Sequence, residues 1–361
     1  MIKNIKLPIR NKSLIRPFSV DSKPRDESSM WLDKNENLDP ALKRIIKKIS
    51  EDVSLLSFSS YPEASELYSK LSKWLKISKK SIILTHGSDG GIRATFDLFV
   101  ESGDIVLHMS PTFAMYPIYC KIYGANQKTI NYSRKNDKPY VSLKEIIIQI
   151  NKNKPKLFCF ANPDSPTGNL FKKKELIKII QCCKQNNTIV LIDEAYHPFS
   201  NITAINLLKD FDNLLVARTF SKAWGLAGLR LGYISSSREI IKFLNKIRPM
   251  YEVSTFSINF ATRMMDYKQE MYNSVKRLKE GKIFFASEMK KLGFNVINCE
   301  GNFIHIDFKE FKKDIHNKLK GKILYRLDFK ENCLAGYSRF SATTIDQYKY
   351  LIGLIKSVVL K

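Results

Sequence analysis

The feature that most constrains the fold is a repeated alternation of short apolar strands and amphipathic helices between residues 81 and 235. Residues 157–161, for example, are all apolar, as expected for a strand that is covered on both faces. Parallel strands need long crossover connections, usually helices, and this alternation supplies them. The pattern therefore predicts an α/β protein whose mostly parallel sheet has helices on both faces.

A different pattern begins at residue 237. Long helices are predicted there first, and short strands follow, which is typical of an α+β unit. The predicted elements are helices over 237–247, 256–268 and 267–292 and strands over 295–297, 303–307 and 323–326. We therefore divide the chain into an N-terminal arm over 1–30, a large α/β domain over 31–250 and a small α+β domain over 251–361.

The net charge of the chain is strongly positive, at +25, with 60 lysines and arginines against 35 aspartates and glutamates. A nucleic-acid-binding protein is one explanation, because basic patches bind phosphate backbones. The lysines, however, are scattered among isoleucines and asparagines, and no basic patch has interleaved aromatic residues. We therefore expect no nucleic-acid partner. We interpret the charge as a bias of the source proteome towards lysine, asparagine and isoleucine, together with some attraction for anionic substrates.

The sequence shows no sign of export, membrane insertion or metal binding. Its first residues alternate charged and apolar side chains, and no apolar run has the length of a membrane span. The six cysteines and five histidines do not have the spacing of metal ligands. These observations predict a cytoplasmic protein with buried free thiols, no membrane partner and no metal.

Residues 219–233 carry the strongest chemical signal in the chain. This stretch follows a predicted strand and contains Thr219, Ser221, Lys222 and Arg230 among several glycines. A lysine amine can form a Schiff base with a carbonyl, and hydroxyl groups together with a guanidinium suit a phosphate. A lone lysine would mean little in so basic a chain, but the ordered set predicts a site for a small phosphorylated cofactor.

Polar or aromatic residues also follow other predicted strands. Ser88 and Asp89 lie in a small-residue turn before a helix, whose free N–H groups suit a phosphate. Asp193 ends a strand, and an open α/β sheet binds ligands outside the carboxyl ends of its strands. Phe113 follows a Pro-Thr pair and could cover a flat ring. Taken singly, these features have alternative interpretations as a tight turn, a helix cap and a core residue.

The order of these motifs resembles that of the fold-type I aminotransferases, which depend on pyridoxal phosphate. Within these enzymes, the sequence is similar to the histidinol-phosphate aminotransferase group. The similarity extends from residue 32 to residue 339. The motifs that carry it are Gly87-Ser88-Asp89, Pro111-Thr112-Phe113, Asn162-Pro163-Asp164-Ser165-Pro166-Thr167-Gly168, Asp193-Glu194-Ala195-Tyr196, Ser221-Lys222 with Arg230, and Ser338-Arg339.

The resemblance implies a pyridoxal 5′-phosphate cofactor and a role for each residue around it. Lys222 would hold the cofactor covalently and shuttle a proton, and Asp193 would pair with the ring N–H. Tyr196, a further catalytic residue, would lie near the ring hydroxyl together with Ser165, and Phe113 would stack on the ring. The residues that would hold the phosphate are Ser88, Asp89, Thr219, Ser221 and Arg230.

The resemblance also implies a homodimer and a set of substrate ligands. Tyr61 would reach the cofactor phosphate of the neighbouring subunit. Arg339 would bind the substrate α-carboxylate, Arg326 would face its distal anion, and Asn37 would belong to the same substrate site. The implied reaction is amino transfer from a donor such as glutamate to a small, anionic or phosphorylated keto substrate.

Departures from the family pattern bear on the substrate. Ser165 stands where the family usually has asparagine, Gly90 where it has glutamate and Leu38 where it has proline. We therefore expect a paralogue that acts on another small anionic substrate. Decarboxylation of a phosphorylated amino acid on the same scaffold is the main alternative. A basic nucleic-acid-binding protein that has lost the chemistry is another, although the retained Lys222 and Asp193 speak against it.

Overall fold

The computed structural model describes residues 6–10, 14 and 24–360. Much of the predicted N-terminal arm, residues 1–5, 11–13 and 15–23, therefore lies outside the described residues. The α-helices are α1 Pro40–Glu51, α2 Leu56–Ser59, α3 Ser65–Leu75, α4 Gly87–Phe99, α5 Met115–Tyr123, α6 Leu143–Asn153, α7 Lys173–Gln185, α8 Arg238–Ile247, α9 Thr255–Met264, α10 Lys268–Lys291, α11 Lys312–Leu319 and α12 Ile345–Val359. The β-strands are β1 Met30–Leu32, β2 Ile82–His86, β3 Ile105–Ser110, β4 Asn126–Asn131, β5 Ser133–Lys135, β6 Lys138–Tyr140, β7 Leu157–Ala161, β8 Ile189–Asp193, β9 Leu214–Thr219, β10 Leu231–Ser236, β11 Asn295–Asn298, β12 Phe303–Asp307, β13 Ile323–Tyr325 and β14 Ser338–Ser341. None of these helices is both long and apolar enough to cross a bilayer.

A mixed sheet in the order β2-β10-β9-β8-β7-β3-β4 forms the centre of the described structure. Strands β3, β4, β7, β8 and β9 are parallel, and β10 runs antiparallel to both of its neighbours. The predicted α/β fold with a mostly parallel sheet is confirmed. The chain leaves β3 towards β4 and later returns to β7, β8 and β9 on the other side of β3. Open sheets bind ligands at such a reversal, outside the carboxyl ends of the strands.

Apolar side chains cover both faces of this sheet. Along β7, Phe158 and Phe160 pack on one face, while Leu157 and Cys159 pack on the other. Helices α6 and α7 cover the first face, and α4, α5 and α8 cover the second. A strand that is buried on both sides has no polar face, which explains the uninterrupted apolar runs in the sequence.

The C-terminal part of the chain forms a smaller α+β layer, as predicted. Its antiparallel sheet β11-β12-β14 packs against α10, α11 and α12. Phe285 of α10 and Tyr348 of α12 stack with ring centroids 4.4 Å apart, and Phe340 of β14 packs on the same core. The division into domains at 30 and 250 stays a prediction.

The N-terminal segment joins the two parts of the molecule. β1 pairs in parallel with β13, with Met30 opposite Ile323. A few residues later, the backbone N–H of Asn35 donates to Ser341 Oγ of β14 at 2.9 Å, while its side chain contacts Tyr196 near β8. Residues 33–37 are therefore held against both sheets.

Helix α1 begins where the sequence predicts it. Asp39 Oδ1 accepts a hydrogen bond of 3.0 Å from the N–H of Ala41, and Pro40 occupies the first turn. The other carboxylate oxygen accepts bonds of 2.9 and 2.7 Å from Nε and Nη2 of Arg277. One aspartate thus starts α1 and connects it to α10.

Two strands of the central sheet escaped the sequence analysis. β4 lies at the sheet edge, and Ile130 alone among its six residues is buried, so no apolar alternation marks it. β10 is buried throughout, but it contains a glycine and two serines and overlaps the stretch that we had assigned to the cofactor.

Candidate active site

A cleft of about 440 Å³ lies at the carboxyl ends of the central strands. Phe113 follows β3, Ser165 follows β7, Asp193 ends β8 and Thr219 ends β9. Because parallel strands end at the same edge of a sheet, residues far apart in the sequence converge there. The predicted site residues that line the cleft are Ser88, Asp89, Phe113, Ser165, Asp193, Tyr196, Thr219, Ser221, Lys222 and Arg230.

Lys222 lies in the wall of this cleft. Its Nζ donates a hydrogen bond of 2.7 Å to the Lys34 carbonyl oxygen and lies 5.9 Å from the centre of the Tyr196 ring. Burial, and after it the positive charge of Arg339, lowers the pKa of Lys222 to about 8. A fraction of its amine is therefore neutral near neutral pH, which is the form that attacks a carbonyl or accepts a proton.

Asp193 is 4% exposed and lies on the same cleft. Its Oδ1 accepts a hydrogen bond of 2.9 Å from the N–H of Ala195, and its Oδ2 accepts one of 3.4 Å from the Tyr116 hydroxyl. Burial raises the pKa of Asp193 to about 6 in spite of these donors. A cationic donor that enters the cleft would stabilise the charged carboxylate.

The turn from β2 into α4 and the stretch after β9 form a site for an anion. The first N–H groups of α4, including those of Ser88 and Asp89, have no acceptor within the helix, and no side chain caps them. Next to them, Thr219 donates to Ser221 Oγ at 2.9 Å, and Arg230 Nη1 donates to the same oxygen at 3.4 Å. Helix N–H groups, hydroxyls and a guanidinium together suit a phosphate. We call these five residues the anion cradle.

Two glycines keep the anion cradle compact. A Cβ on Gly87, which has φ +70°, would lie 2.8 Å from Arg230 Nη2. A Cβ on Gly232 of β10 would lie 2.5 Å from the backbone nitrogen of Ser88. Both positions need glycine, because a side chain would push the arginine or the strand away from the start of α4.

Tyr196 lines the cleft, and a residue of the N-terminal segment holds its hydroxyl in place. Asn35 Nδ2 donates a hydrogen bond of 2.9 Å to that hydroxyl oxygen. The Tyr196 ring also meets Phe303 edge-on, with centroids 5.4 Å apart. Burial raises the pKa of Tyr196. Its hydroxyl therefore stays protonated and can donate a hydrogen bond to a ligand oxygen.

The two arginines predicted in the C-terminal part lie opposite each other and differ in their surroundings. Arg326 and Arg339 exchange backbone hydrogen bonds of 3.0 and 2.8 Å. Arg339 is 8% exposed, its Nη2 donates to the Asp33 carbonyl at 2.8 Å, and its Nε has no partner among the described residues. Arg326 lies 4.1 Å from the Phe329 ring centre. Neither arginine is a lining residue of the cleft. A buried, unpaired N–H makes Arg339 the better anion ligand of the two.

Tyr61 and Asn37 do not line the cleft of their own chain. Tyr61 is 76% exposed and stacks on Tyr251, with ring centroids 4.4 Å apart. Asn37 Nδ2 donates to the Ala223 carbonyl at 2.9 Å and to Ser274 Oγ at 3.0 Å. In this structure, the Asn37 amide therefore supports the fold around the Lys222 turn.

Three charged lining residues are not predicted by the sequence, namely Arg25, Lys34 and Glu36. Lys34 and Glu36 lie at the start of the region that is similar to the family, where the sequence assigns no role to either charge. Arg25 lies in the polar arm, where neither periodicity nor spacing distinguishes it from other basic residues.

Glu252 fills the space beside Gly90, one of the departures from the family pattern. A Cβ on Gly90 would lie 3.4 Å from Glu252 Oε1. The same oxygen accepts a hydrogen bond of 3.3 Å from the N–H of His86. A carboxylate therefore reaches the start of α4 from residue 252, where it interacts favourably with the positive end of the helix.

All six cysteines lie in the described ranges as free thiols, and five of them are buried. Cys299 alone is partly accessible. In residues 6–10, 14 and 24–360, no group of three or more histidine, cysteine, aspartate or glutamate side chains could hold a metal ion.

Comparison with known proteins matches nearly the whole chain to one family. The sequence model of that family, aminotransferase class I and II, matches residues 27–355. The chain is 33% identical to the histidinol-phosphate aminotransferase of Ruminiclostridium cellulolyticum over 96% of this chain and 97% of that protein. It is also 33% identical to the histidinol-phosphate aminotransferase of a Thermoanaerobacter species over 91% of this chain and 93% of the relative. The fold is similar to that of the histidinol-phosphate aminotransferase from Sinorhizobium meliloti in complex with pyridoxal-5′-phosphate, with a TM-score of 0.78, 21% identity and coverage of 92% of this chain and 91% of that one.

Proposed function

Since the chain belongs to the family of class I and II aminotransferases, we propose that it transfers an amino group between glutamate and a small phosphorylated substrate of the histidinol phosphate type. The enzyme depends on pyridoxal 5′-phosphate, as the family and the fold indicate. The observation that carries the proposal is that Lys222, Asp193 and the anion cradle line one cleft of about 440 Å³.

The residues of the cleft fit this cofactor. When bound, pyridoxal phosphate supplies an aldehyde for a Schiff base and a ring that withdraws electrons from the substrate carbon. The anion cradle would hold its phosphate, because the first N–H groups of α4 have no side-chain cap. The buried carboxyl of Asp193 would gain a cationic donor, and Phe113 would cover the ring.

We assign covalent attachment and proton transfer to Lys222. A pKa of about 8 leaves part of its amine neutral near neutral pH. When the substrate amine has taken its place, Lys222 Nζ would accept a proton from the substrate α-carbon and return it. The Lys34 carbonyl, 2.7 Å from Nζ, would keep the amine in the wall of the cleft during this exchange.

Asp193 and Tyr196, which both line the cleft, would orient the ring. The Asp193 carboxylate, fixed by the Ala195 N–H at 2.9 Å, would accept a hydrogen bond from the ring nitrogen and keep it protonated. The Tyr196 hydroxyl, held by Asn35, would donate to the ring oxygen. Ser165 lines the cleft where the family usually has asparagine. We propose that this shorter side chain takes the place of asparagine near the ring oxygen.

For the substrate, we propose Arg339 as the ligand of the donor's α-carboxylate. Its buried Nε has no partner among the described residues and can bind an anion. Arg326 as the ligand of the distal anion and Asn37 as a further substrate ligand stay predictions. The Asn37 amide would have to release Ala223 or Ser274 before it could contact a substrate.

We further propose a homodimer in which Tyr61 contacts the cofactor phosphate of the neighbouring subunit. The support is the surface that carries Tyr61. Leu55, Phe58, Tyr61 and Met250 are exposed apolar residues on neighbouring segments, joined by the Tyr61–Tyr251 stack. An apolar surface of this kind usually marks a protein interface.

Finer statements on location and organisation are also proposals. The free thiols support a location in the cytoplasm, where reducing conditions keep cysteines unpaired. The end of α8 at Ile247 and the start of α9 at Thr255 support a domain boundary near residue 250.

The absorption spectrum of the cofactor-loaded protein tests the function. Single amino acids, and then histidinol phosphate, are added without any keto acid, and the band of the lysine-bound cofactor is followed. We expect the band to disappear as a stoichiometric amount of keto product and of pyridoxamine phosphate forms. Release of carbon dioxide with recovery of the original band would instead identify a decarboxylase. A protein that never develops the band with added cofactor would contradict the whole proposal.

A further inference from the structure

Arg25 lines the cleft although it belongs to the segment before β1. Its Nη1 donates to Asp33 Oδ1 at 3.1 Å and to Glu36 Oε2 at 2.8 Å, and its Nη2 donates to Glu36 Oε1 at 2.8 Å. The guanidinium carbon lies 3.9 Å from the centre of the Trp31 ring. Two carboxylates and an aromatic face thus fix this side chain, which is only 22% exposed.

Within the part of the chain that the structure describes, these contacts leave one edge of the guanidinium without a hydrogen-bond partner. Arginine has five N–H donors in a planar fork. The three hydrogen bonds to Asp33 and Glu36 use both hydrogens of Nη1 and one of Nη2. Nε–H and the second hydrogen of Nη2 form the other edge, which has the geometry that binds a phosphate or carboxylate with two parallel bonds.

The basic residues of the cleft divide by role. Arg230 belongs to the anion cradle, and Lys222 is the proposed reactive amine. Arg25 and Lys34 are the remaining basic residues of the lining, whereas Arg326 is not part of it. Of these two, Arg25 has the planar fork, and a guanidinium binds phosphate more specifically than an ammonium does.

Glu36 accepts two hydrogen bonds from Arg25 and so keeps the guanidinium in position. Hydrogen bonding to Arg25, together with the charges of Lys222 and Lys34, lowers the pKa of Glu36. The carboxylate therefore stays charged and holds one edge of the guanidinium, while Lys34 adds a positive charge nearby. An incoming anion need not displace Glu36, because it can use the opposite edge.

We propose that Arg25 is a specificity-determining residue that binds the distal anion of the substrate through this free edge. Trp31, Asp33 and Glu36 are then positioning residues, which fix the guanidinium before the substrate arrives. The inference rests on the proposed function, since it places the substrate amino group at Lys222.

Arg25→Gln in the cofactor-loaded enzyme tests the inference. The half-reactions of histidinol phosphate and of histidinol, which lacks the phosphate, are followed by the absorption spectrum. Loss of a charged hydrogen-bonded contact should lower kcat/KM for histidinol phosphate about ten- to a hundredfold and leave that for histidinol unchanged. Arg25→Lys, which keeps the charge but not the fork, should fall between the two enzymes.

Arg134→Gln is the matched control. Arg134 also packs on an aromatic ring, 5.0 Å from the centre of Tyr337, and pairs with Asp137 at 3.6 Å, but it does not line the cleft. We expect this variant to keep the wild-type preference for the phosphorylated substrate. Melting temperatures of the variants separate a folding defect from a loss of recognition, and Arg25→Lys replaces Arg25→Gln if the latter is unstable.

The outcomes separate this inference from the proposed function. If the wild type uses histidinol phosphate and Arg25→Gln keeps the same preference, Arg25 is not the anion ligand, while the proposed function stands. If the wild type uses neither histidinol compound, the proposed substrate is wrong. Arg25 is then judged by the half-reactions of glutamate and alanine, because the distal carboxylate is the anion that distinguishes them. A tenfold loss of the glutamate preference in Arg25→Gln supports the inference, and an unchanged ratio overturns it.

Discussion

At the residue scale, burial in one cleft moves two pKa values towards each other. Burial lowers the pKa of Lys222 to about 8 and raises that of Asp193 to about 6. Removal of water disfavours the charged form of either group, whatever its sign. The cleft without cofactor thus holds a lysine that readily loses its proton and a carboxylate that lacks a cation, and both conditions favour a ligand with an aldehyde and a basic ring nitrogen.

Lys222→Ala should abolish turnover and leave the fold intact. The variant lacks the amine that serves both for covalent attachment and for proton transfer. We therefore expect kcat to fall by about ten-thousandfold. Lys222→Arg, which keeps a positive charge but cannot form the attachment, serves as control and should be equally inactive. Rates are measured with glutamate as donor, and circular dichroism checks the fold. Residual wild-type turnover in either variant would contradict the assigned role.

Asp193→Asn should change the stability of the cofactor-free protein in a pH-dependent way. The folded-state pKa is raised from 3.8 to about 6, so the stability that this group contributes is fully present below pH 3.8 and is lost as the pH rises through 6. We therefore expect the variant to gain roughly 1–3 kcal/mol in the free energy of unfolding over the wild type at pH 7 and to lose this advantage near pH 4.

Urea unfolding of both cofactor-free proteins at the two pH values measures this effect. A difference that does not depend on pH, or that favours the wild type at pH 7, would show that burial does not destabilise the charged form of Asp193. The cofactor-loaded variant should lose most of its activity, because an amide cannot keep the ring nitrogen protonated.

At the scale of elements, the antiparallel strand β10 completes the anion cradle. β10 lies between β2 and β9, and Gly232 faces the backbone of Gly87 and Ser88 at the start of α4. The Arg230 side chain, from the turn before β10, meets the same helix start. Because β10 runs antiparallel to its neighbours, the turn before it, which carries Arg230, lies next to the N-terminus of α4.

Gly232→Ala should therefore weaken both the fold and the cofactor site. Its Cβ would lie 2.5 Å from backbone atoms of residues 87 and 88, which cannot move without shifting α4. Overpacking of this kind costs about 1–3 kcal/mol in the free energy of unfolding. We expect the dissociation constant for pyridoxal phosphate, measured by fluorescence titration, to rise as well.

Gly353→Ala is the control for this substitution. Gly353 lies in α12 with no atom within 4 Å of the added Cβ, so alanine should stabilise the protein by about 0.5–1 kcal/mol. Equal effects of the two substitutions on cofactor affinity would indicate that the close approach of β10 has no bearing on the cradle.

At the scale of the whole molecule, one exposed apolar surface stands out. Phe58 on α2 contacts Phe256 on α9 with ring centroids 5.1 Å apart, and Tyr61 stacks on Tyr251. Phe58, Tyr61 and Met250 remain largely exposed. Exposed apolar side chains on neighbouring segments mark a protein interface, which supports the proposed dimer.

Phe58→Asp should dissociate the proposed dimer. We expect sedimentation equilibrium at micromolar concentration to give twice the chain mass of 41.7 kDa for the wild type and a shift towards the single-chain mass for the variant. Activity should fall in parallel, because Tyr61 could no longer reach the neighbouring site. Ile283→Asp, which changes an exposed apolar residue of α10, should leave the mass unchanged. A wild type that sediments as a single chain would rule out the dimer.

Much of the fold and most of the candidate site could be predicted from the order of residues. The apolar runs and the turns after them predict parallel strands. Asp193 ends one such strand, and Lys222 lies in the turn after another. Because parallel strands must end at one edge, any polar residue at those ends becomes part of one cleft. This geometry, together with the roles that the family resemblance implies, is why ten of the predicted site residues line the cleft.

Other residues reach the cleft from segments outside the central sheet. Their positions depend on packing between parts of the chain that are far apart in sequence. The pairing of β1 with β13 brings Arg25 and Glu36 to the cleft, and no local pattern predicts that pairing. Glu252 replaces the missing side chain at Gly90 from 162 positions away along the chain. Likewise, Arg326 and Arg339 look alike in the sequence, yet the fold buries one near Lys222 and lays the other against Phe329. Local sequence specifies strands, turns and their ends, whereas these long-range contacts form only when the whole chain packs into one structure.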